Sequence, residues 1–258
     1  MNDGEGRLDI PSALQGDTGH FGQMMAALPP SKRRDLGKIS HLKTIKAGEV
    51  VVEDGQLLDH LGFVLEGTLA ITKLLPDGRV HIIGLLVPTD MYGRVFEGVS
   101  SYRIEALSDT QIYCFDREPF EQIFLETPEI ERLFLINVLD ELDASREWVL
   151  LLGGHRVIER VASFLLILSR RKTRQLNTAE IMHNQPFRIQ VKIKRIDLAR
   201  YLGTRPETLS RAFHELEDRK ALRIIDPYNF EIRDLNVLTD IAGHDLILRD
   251  GNTNGPFN

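Results

Sequence analysis

The sequence predicts an α+β fold in which an N-terminal antiparallel β-roll is followed by a long helix and then by a C-terminal unit of short helices and a β-hairpin. Short β-branched runs separated by regularly spaced turn residues indicate the β-roll. Apolar residues three and four apart indicate the long helix, and two short amphipathic segments on either side of a glycine indicate the helical unit. A chain of 258 residues is long enough for two domains, each with its own core.

Five segments are expected along the chain. Residues 1–30 form a leader without periodicity, residues 31–128 form the β-roll, and residues 129–154 form the long helix. Residues 155–235 form the C-terminal unit, and residues 236–258 form a last helix and a tail. The tail ends in RDGNTNGPFN, which is rich in Gly and Asn, so we expect it to fray.

The β-roll is predicted from its turns. Runs such as EVVVED, HLGFVLEG and TLAITKLL lie between turn residues, as in an antiparallel barrel or jelly roll. The clearest hairpin is KLLPDGRV, in which Asp77 and Gly78 join strands near residues 68–75 and 79–86. The regularly placed glycines of this region are Gly48, Gly55, Gly62, Gly67, Gly78, Gly84 and Gly93.

The long helix carries an apolar seam that Ser145 interrupts. Three-four spacing suits contact between two parallel helices, which predicts a homodimer. The alternative is packing of the helix against its own β-roll, and both contacts can form on opposite faces. Asp140, Glu141 and Asp143 place like charges beside the seam, which would weaken pairing unless a partner or a change of state relieves them. The seam consists of Leu135, Val138, Leu142, Val149 and Leu152.

Residues 194–221 predict a helix-turn-helix. Gly203 permits the positive φ angle that reverses the chain after a short first helix. Pro206 is favoured at the first position of the second helix. The first helix is expected to bury Ile196, Leu198, Ala199 and Leu202, and the second to bury Leu209, Ala212, Phe213 and Leu216.

The opposite face of the second helix is left for contact. Arg211 can pair bidentately with guanine, and Glu207 can accept from the amino group of cytosine. Both lie in the first two turns, the part of a recognition helix that reaches base edges in the major groove. The alternative for Glu207 is a capping box with Thr204, although Pro206 favours Arg205 as the cap. The residues predicted to bind DNA from this helix and turn are Thr204, Arg205, Glu207, Thr208, Ser210 and Arg211.

The C-terminal unit is basic, although the whole chain carries a net charge of −6. Residues 155–223 hold sixteen Lys or Arg and seven Asp or Glu, a net charge of +9, so the remainder carries −15. Such asymmetry indicates a nucleic-acid partner, because Lys and Arg displace counterions from phosphates. Lys192, Lys194 and Arg195 precede the first helix and are expected to contact the DNA backbone. Four basic residues close the preceding helix, where they serve either DNA contact or only the helix C-terminus and solubility, namely Arg170, Arg171, Lys172 and Arg174.

A wing is predicted after the second helix. Two β-rich runs, residues 222–225 and 229–233, flank an Asp-Pro-Tyr-Asn turn. This pattern indicates a β-hairpin, which makes the C-terminal unit a winged helix-turn-helix.

The helix-turn-helix resembles the DNA-binding element of the CRP/FNR transcription factors. Their pattern D-L-A-x-x-L-G, then E-T-[VIL]-S-R, is matched at residues 197–203 and 207–211. Glu207, Ser210 and Arg211 follow the FNR-type arrangement. The cyclic-AMP receptor branch carries Arg and Gly at the positions where this chain has Pro206 and Ser210. The resemblance covers residues 38–235 and implies a cytoplasmic homodimer that regulates transcription from an inverted repeat like TTGA-N6-TCAA and contacts RNA polymerase. Activation is the family tendency, but operator position decides the sign of regulation.

The β-roll resembles the cyclic-nucleotide-binding domain of the same family through its G-x(n)-G-D, L-E-G, D-G-R and P-x-D-x-x-G landmarks. Two positions depart from the family pattern: Gln56 replaces the acidic residue after Gly55, and Thr89 replaces a glycine before Asp90. Members that bind a cyclic nucleotide carry a G-E pair and an R-[ST]-A motif. This chain has Gly93-Arg94 and Ser100-Ser101-Tyr102 there, so the arginine that pairs with the phosphate is missing. We therefore expect no cyclic AMP or cyclic GMP. Arg94 and Arg103 are candidates for an anionic effector, and DNA binding without any effector stays open.

Metal and cofactor chemistry is restricted by composition. Oxygen sensors of the family hold a four-iron cluster through four cysteines, whereas this chain has only Cys114. We expect no iron-sulfur cluster and predict that Cys114 is a small buried residue on a strand; the alternative is an oxidant-sensitive thiol. The eight histidines, among them His81 and His155, show no metal-ligand pair, although a haem needs only one axial histidine. No cofactor or metal is predicted.

Other classes of protein find less support in the sequence. There is no phosphate-binding loop, nucleophile elbow or cluster of His and carboxylates at catalytic spacing, so no enzyme is predicted. A ligand-binding or redox-sensing module with secondary DNA contact is the second hypothesis, and a chromophore in the purified protein would favour it. The chain has no run of eighteen apolar residues, so we expect no membrane insertion.

Overall fold

The computed structural model describes residues 22, 25–26, 28–88, 90–96, 98–154, 156–175 and 186–243. Most of the predicted leader, the tail from residue 244, Thr89 and His155 lie outside these residues. Helix α1 spans Pro30–Lys38 and precedes eight strands. The strands are β1 Ser40–Ile45, β2 Val50–Val52, β3 His60–Glu66, β4 Leu69–Leu74, β5 Val80–Leu86, β6 Met91–Tyr92, β7 Arg103–Ala106 and β8 Thr110–Asp116.

The eight strands form two antiparallel four-stranded sheets, in the orders β1-β8-β3-β6 and β2-β7-β4-β5. Val52, Leu69 and Ile112 belong to one apolar core to which both sheets contribute. The predicted β-roll is thus confirmed as a two-sheet antiparallel roll. The hairpin of β4 and β5 turns at Asp77 and Gly78 as predicted, with Gly78 at φ +81° and the amide of Leu75 donating to the carbonyl of Arg79 at 2.9 Å.

A second core covers the outer face of the first sheet. Strand β8 is buried on both faces because Cys114 points into the roll, whereas Tyr113 and Phe115 pack beneath helices. Those helices are α1, α2 (Arg117–Leu125) and the first turns of α3 (Pro128–Gly154). Phe120 and Phe124 of α2 continue this core to Phe134 of α3 through edge and tilted ring contacts.

Helix α3 is the predicted long helix, and its two faces differ. Ile130 is buried and Phe134 packs against the second core, so the helix contacts its own β-roll near its N-terminus. The five predicted seam residues are 39 to 69% exposed in the single chain. Leu139, which the seam prediction omitted, is 50% exposed beside them.

The C-terminal unit contains α4 (Val157–Gln175), β9 (Phe187–Gln190), α5 (Arg195–Tyr201), α6 (Pro206–Asp218), β10 (Leu222–Ile224), β11 (Asn229–Ile232) and α7 (Leu235–Ala242). Strands β10, β11 and β9 form a three-stranded antiparallel sheet, so the predicted two-stranded wing gains a third strand. The core beneath them includes Leu165, Leu209 and Phe230. Ile196 was expected to be buried, but it is 49% exposed because it lies two residues before Leu198, off the buried stripe of so short a helix.

The β-roll contacts the C-terminal unit through the β4–β5 hairpin. Strand β5 lies against α5, and Leu85 packs on the C-terminal core together with Leu107. Lys192 Nζ lies 2.5 Å from Glu66 Oε1 at the end of β3. Among the described helices, none is long and apolar enough to cross a bilayer.

Candidate nucleic-acid interface

The turn between α5 and α6 is closed by backbone hydrogen bonds. The amide of Thr204 donates to the carbonyl of Ala199 at 2.9 Å, and the amide of Gly203 donates to the carbonyl of Arg200 at 3.2 Å. These two bonds form a Schellman motif, which requires a left-handed residue at the position of Gly203. Gly203 has φ +61°, as predicted. The turn therefore fixes the angle at which α6 leaves α5.

Helix α6 begins as predicted at Pro206. Its N-cap is Arg205, which has extended backbone angles and makes no side-chain capping hydrogen bond. Thr204 is not the cap, so the alternative of a capping box between Thr204 and Glu207 is wrong. The helix buries the four predicted residues, Leu209, Ala212, Phe213 and Leu216.

The outer face of α6 carries the residues predicted to read bases. Glu207, Thr208 and Arg211 are exposed, and Ser210 is half-buried. No ion pair within the described part of the chain engages Glu207 or Arg211, so both charges are available to a partner. His214 is also exposed, and its Nδ1 lies 3.8 Å from Glu217 Oε2. It was not predicted, although the spacing from Glu207 and Arg211 continues to residue 214.

The basic residues before α6 have three different environments. Lys194 is the exposed N-cap of α5 and stays a predicted DNA contact. Lys192 is engaged by Glu66 of the β-roll rather than standing free for a phosphate. Arg195 does not precede α5 as predicted, because it is the first residue of that helix, and its guanidinium lies 3.9 Å from the centre of the Phe213 ring.

The wing turn is organised by one carboxylate. Asp226 accepts hydrogen bonds from the amides of Tyr228 and Asn229 at 2.8 and 2.9 Å, and from the side-chain amide of Asn229. These hydrogen bonds lower the pKa of Asp226 from its ordinary value. Tyr228 at this turn is 43% exposed, and Arg223 on β10 is exposed. The wing thus presents an aromatic and a basic side chain that were not predicted as contacts.

An open cleft of about 510 Å³ lies between the β4–β5 hairpin and the helix-turn-helix. Its hairpin wall contains Arg79 and His81, and its other wall contains Arg200 and Gly203. Thr204 also lines this cleft, which places it beside the β-roll. Like Lys192, Thr204 is thus a predicted DNA-binding residue that faces the β-roll.

Comparison with known proteins covers both domains. Residues 42–127 match the model of the cyclic nucleotide-binding domain, and residues 159–241 match the model of the Crp-like helix-turn-helix domain. The chain is 34% identical over 210 residues to the transcriptional activator protein FnrL of Cereibacter sphaeroides, covering 81% of this chain and 84% of that protein. The chain belongs to the CRP/FNR family. It is a transcription regulator and not an enzyme.

Two further relatives of this CRP/FNR regulator are informative. The nitrogen fixation regulation protein FixK of Bradyrhizobium diazoefficiens is 29% identical over 200 residues, covering 78% of this chain and 81% of that protein. The solved structure of FixK2 from Bradyrhizobium japonicum matches with a TM-score of 0.68 at 25% identity, covering 79% of this chain and 97% of FixK2. The fold predicted from the sequence is thereby confirmed.

In this CRP/FNR regulator, the loop that follows Gly93-Arg94, where nucleotide-binding members carry the G-E pair, is tied to α2. Phe96 has φ +69°, and its amide donates to Glu121 Oε1 at 2.6 Å. Glu121 also pairs with Arg117 at 3.3 Å, with both side chains only 16% exposed. The Phe96 ring meets Phe124 edge to face at 5.8 Å. The loop is thus held by protein groups.

The two candidate effector residues have separate protein partners. Arg94 Nη1 lies 3.5 Å from the carbonyl of Val99. Arg103 Nε lies 3.6 Å from Glu105 and 3.9 Å from Glu53. Two carboxylates already offset the charge of Arg103, which makes it a poorer anion ligand than a free guanidinium.

Cys114 is fully buried on β8, as predicted. Its Sγ lies 3.8 Å from the hydroxyl of Tyr92. Burial raises the pKa of the Cys114 thiol above its ordinary value. A reactive cysteine needs a lowered pKa and access to solvent, so this environment is that of a packed core residue.

Proposed function

We propose that this CRP/FNR regulator binds DNA as a homodimer at an inverted repeat resembling TTGA-N6-TCAA and activates transcription there. The main support for this proposal is that Glu207 and Arg211, on the outer face of α6, are exposed and form no ion pair among the described residues. The Schellman turn and the four buried residues of α6 fix the orientation of that face. A helix held in this way can enter the major groove with its first two turns against the base edges.

The single G·C pair of a TTGA half-site suits these two side chains. Guanine offers two acceptors to the fork of Arg211, and the paired cytosine offers an amino donor to Glu207. Ser210 and Thr208 can add single hydrogen bonds to neighbouring bases or phosphates. Lys194 and Arg205 are both exposed at the start of a helix, where contact with phosphates positions the protein.

The homodimer is proposed from the exposed seam of α3. Leu135, Val138 and Leu142 leave apolar surface uncovered on the single chain, which a second copy of the same helix would cover. In the proposed site the half-site centres lie about 10 bp apart, one turn of B-DNA, as two-fold-related recognition helices require. An inverted repeat therefore matches the symmetry of the proposed dimer.

Activation through RNA polymerase is proposed from the relatives, of which FnrL is a transcriptional activator protein. We also propose that DNA binding needs no cyclic nucleotide, iron-sulfur cluster or haem. The contacts of Phe96 with Glu121 and Phe124, together with the burial of Cys114, support this proposal.

The test is a fluorescence-anisotropy titration of aerobically purified, ligand-free protein onto a TTGA-N6-TCAA duplex and a scrambled duplex at the same salt concentration. We expect the specific duplex to bind roughly a thousandfold more tightly or better. Equal, weak binding to both duplexes would contradict the proposed half-site or the absence of an effector. Repeating the titration with cyclic AMP or after anaerobic reconstitution with iron and sulfide separates these two explanations.

A further inference from the structure

Arg195 connects three elements of the C-terminal unit, namely the first helix of the helix-turn-helix, the recognition helix and the wing. It is the first residue of α5, and its guanidinium carbon lies 3.9 Å from the ring centre of Phe213 on α6 and 5.2 Å from that of Phe230 on β11. The two rings are stacked on each other, with centres 4.8 Å apart and planes 18° apart. One cation therefore contacts the first helix, the recognition helix and the wing at a single point.

The environment of Arg195 differs from that of a phosphate ligand. Its Nη1 atom is buried and has no hydrogen-bond partner among the residues that the structure describes. Burial lowers the pKa of Arg195, and no carboxylate among the described residues offsets the effect. The neighbouring Lys194 is exposed and has the access that a phosphate contact needs. A phosphate could reach Nη1 only if the atoms that bury it moved.

We propose that Arg195 is a positioning residue, which sets the orientation of the wing and α6 by stacking on Phe213 and Phe230. This inference rests on the proposed DNA-binding function and replaces the expected phosphate contact of Arg195. Phe213 is 1% exposed and Phe230 is not exposed at all, so the guanidinium closes the edge of the core where helix and wing meet. A planar cation stacks on aromatic rings in a way that the ammonium of Lys does not.

A phosphate-binding role and a positioning role of Arg195 predict a different dependence of DNA affinity on salt concentration. A side chain that neutralises a phosphate contributes about 0.9 to the slope of log affinity against log salt concentration, and its loss weakens specific and non-specific binding alike. A positioning residue contributes nothing to that slope, because it releases no counterion. Its loss weakens binding to the specific duplex, where α6 must meet the base edges in register, and leaves binding to scrambled DNA unchanged.

The experiment compares R195K, R195M and the control K194M with wild type on the specific and scrambled duplexes at several salt concentrations. We expect both Arg195 variants to lose roughly tenfold in specific affinity, with the wild-type slope and unchanged scrambled binding. K194M should reduce the slope by about one and weaken both duplexes. The inference is overturned if R195K keeps wild-type specificity while R195M behaves like K194M. Failure of wild type to discriminate between the duplexes would instead overturn the proposed function.

A second measurement uses the wild-type protein and does not depend on how the variants fold. The end of the Arg195 side chain lies over the face of the Phe213 ring, so the NMR resonances of its protons should be shifted upfield in the free protein. We expect that shift to persist when the TTGA-N6-TCAA duplex is added. Loss of the ring-current shift in the complex would show that the guanidinium leaves the rings for DNA, which would overturn the positioning role.

Discussion

Arg211 of α6 and Arg219, the C-cap of that helix, carry the same charge but have different environments. Arg211 faces outward without a partner among the described residues, whereas Arg219 at the C-terminal end of the helix pairs with Glu215 at 2.5 Å. Arg211 lies in the second turn of α6, within reach of base edges, and Arg219 lies two turns further on. Its position on the helix, and the absence of an ion-pair partner among the described residues, support the proposal that Arg211 reads a base.

Replacement of Arg211 should therefore remove sequence discrimination. We expect R211A to lose about 1–3 kcal/mol of binding free energy on the TTGA duplex. On a duplex whose half-site G·C pairs are replaced by A·T, R211A and wild type should bind alike, because the contact is already lost. Anisotropy titrations measure both values, and R219A is the matched control that should keep wild-type discrimination. An equal loss by R211A on both duplexes would show a backbone contact instead.

Cys114 is expected to be chemically silent in the folded protein. Because burial raises the pKa of its thiol, the reactive thiolate is scarce at neutral pH and inaccessible to solvent. Iodoacetamide should label Cys114 only after denaturation, as mass spectrometry can show. C114A should retain the DNA affinity of wild type. Rapid labelling under native conditions, accompanied by loss of DNA binding, would instead identify Cys114 as a redox sensor.

The role of a residue could be predicted from the sequence where it depends on the conformation of that residue's own backbone. Gly203 and Pro206 act on their own backbone, and their predicted roles in the turn and the helix start are confirmed. Lys192 and Arg195 could not be placed, because their partners are distant in sequence: Glu66 lies 126 residues from Lys192, and Phe230 is on the wing. Charge alone predicted phosphate contact for both, since only tertiary structure supplies the competing partner.

Helices and strands with local sequence signals could likewise be predicted, whereas a strand that depends on a distant partner could not. The β4–β5 hairpin and the two helices of the helix-turn-helix have local signals and were predicted close to their observed bounds. Strand β9 was not predicted, because four residues carry little pattern and the strand owes its pairing to β11, about forty positions later in the chain. Helix α3 was predicted, with either its own β-roll or a second copy of the helix as its packing partner. Its first turns pack on the β-roll, and its seam is exposed in the single chain.

The seam of α3 gives a prediction about assembly. L142D should place a charge at the centre of the proposed helix pair and convert the dimer into a monomer, as measured by sedimentation velocity. L125D is the matched control, since Leu125 is 64% exposed at the end of α2, outside the seam. We expect L125D to remain dimeric. A wild-type monomer, or an L142D dimer with normal DNA affinity, would contradict the proposed interface.

Two sets of contacts connect the β-roll with the helices that follow it. One runs from the loop containing Phe96 through Phe124 to Phe134 of α3. The other is the β4–β5 hairpin, which lies against α5 and is fastened nearby by the ion pair of Glu66 with Lys192. Both sets consist of contacts between protein groups. This arrangement fits a regulator whose DNA-binding form is assembled by dimerisation.

The proposed symmetric dimer places two recognition helices one turn of DNA apart. The most direct test titrates wild type onto duplexes with TTGA and TCAA separated by six or eleven base pairs, and onto a scrambled duplex. Five added base pairs rotate one half-site to about the opposite face of the helix while keeping every base contact available to a monomer. We predict tight binding only at the six-base-pair spacing, with one dimer per duplex. Equal affinity at both spacings would contradict the proposed placement of the two recognition helices.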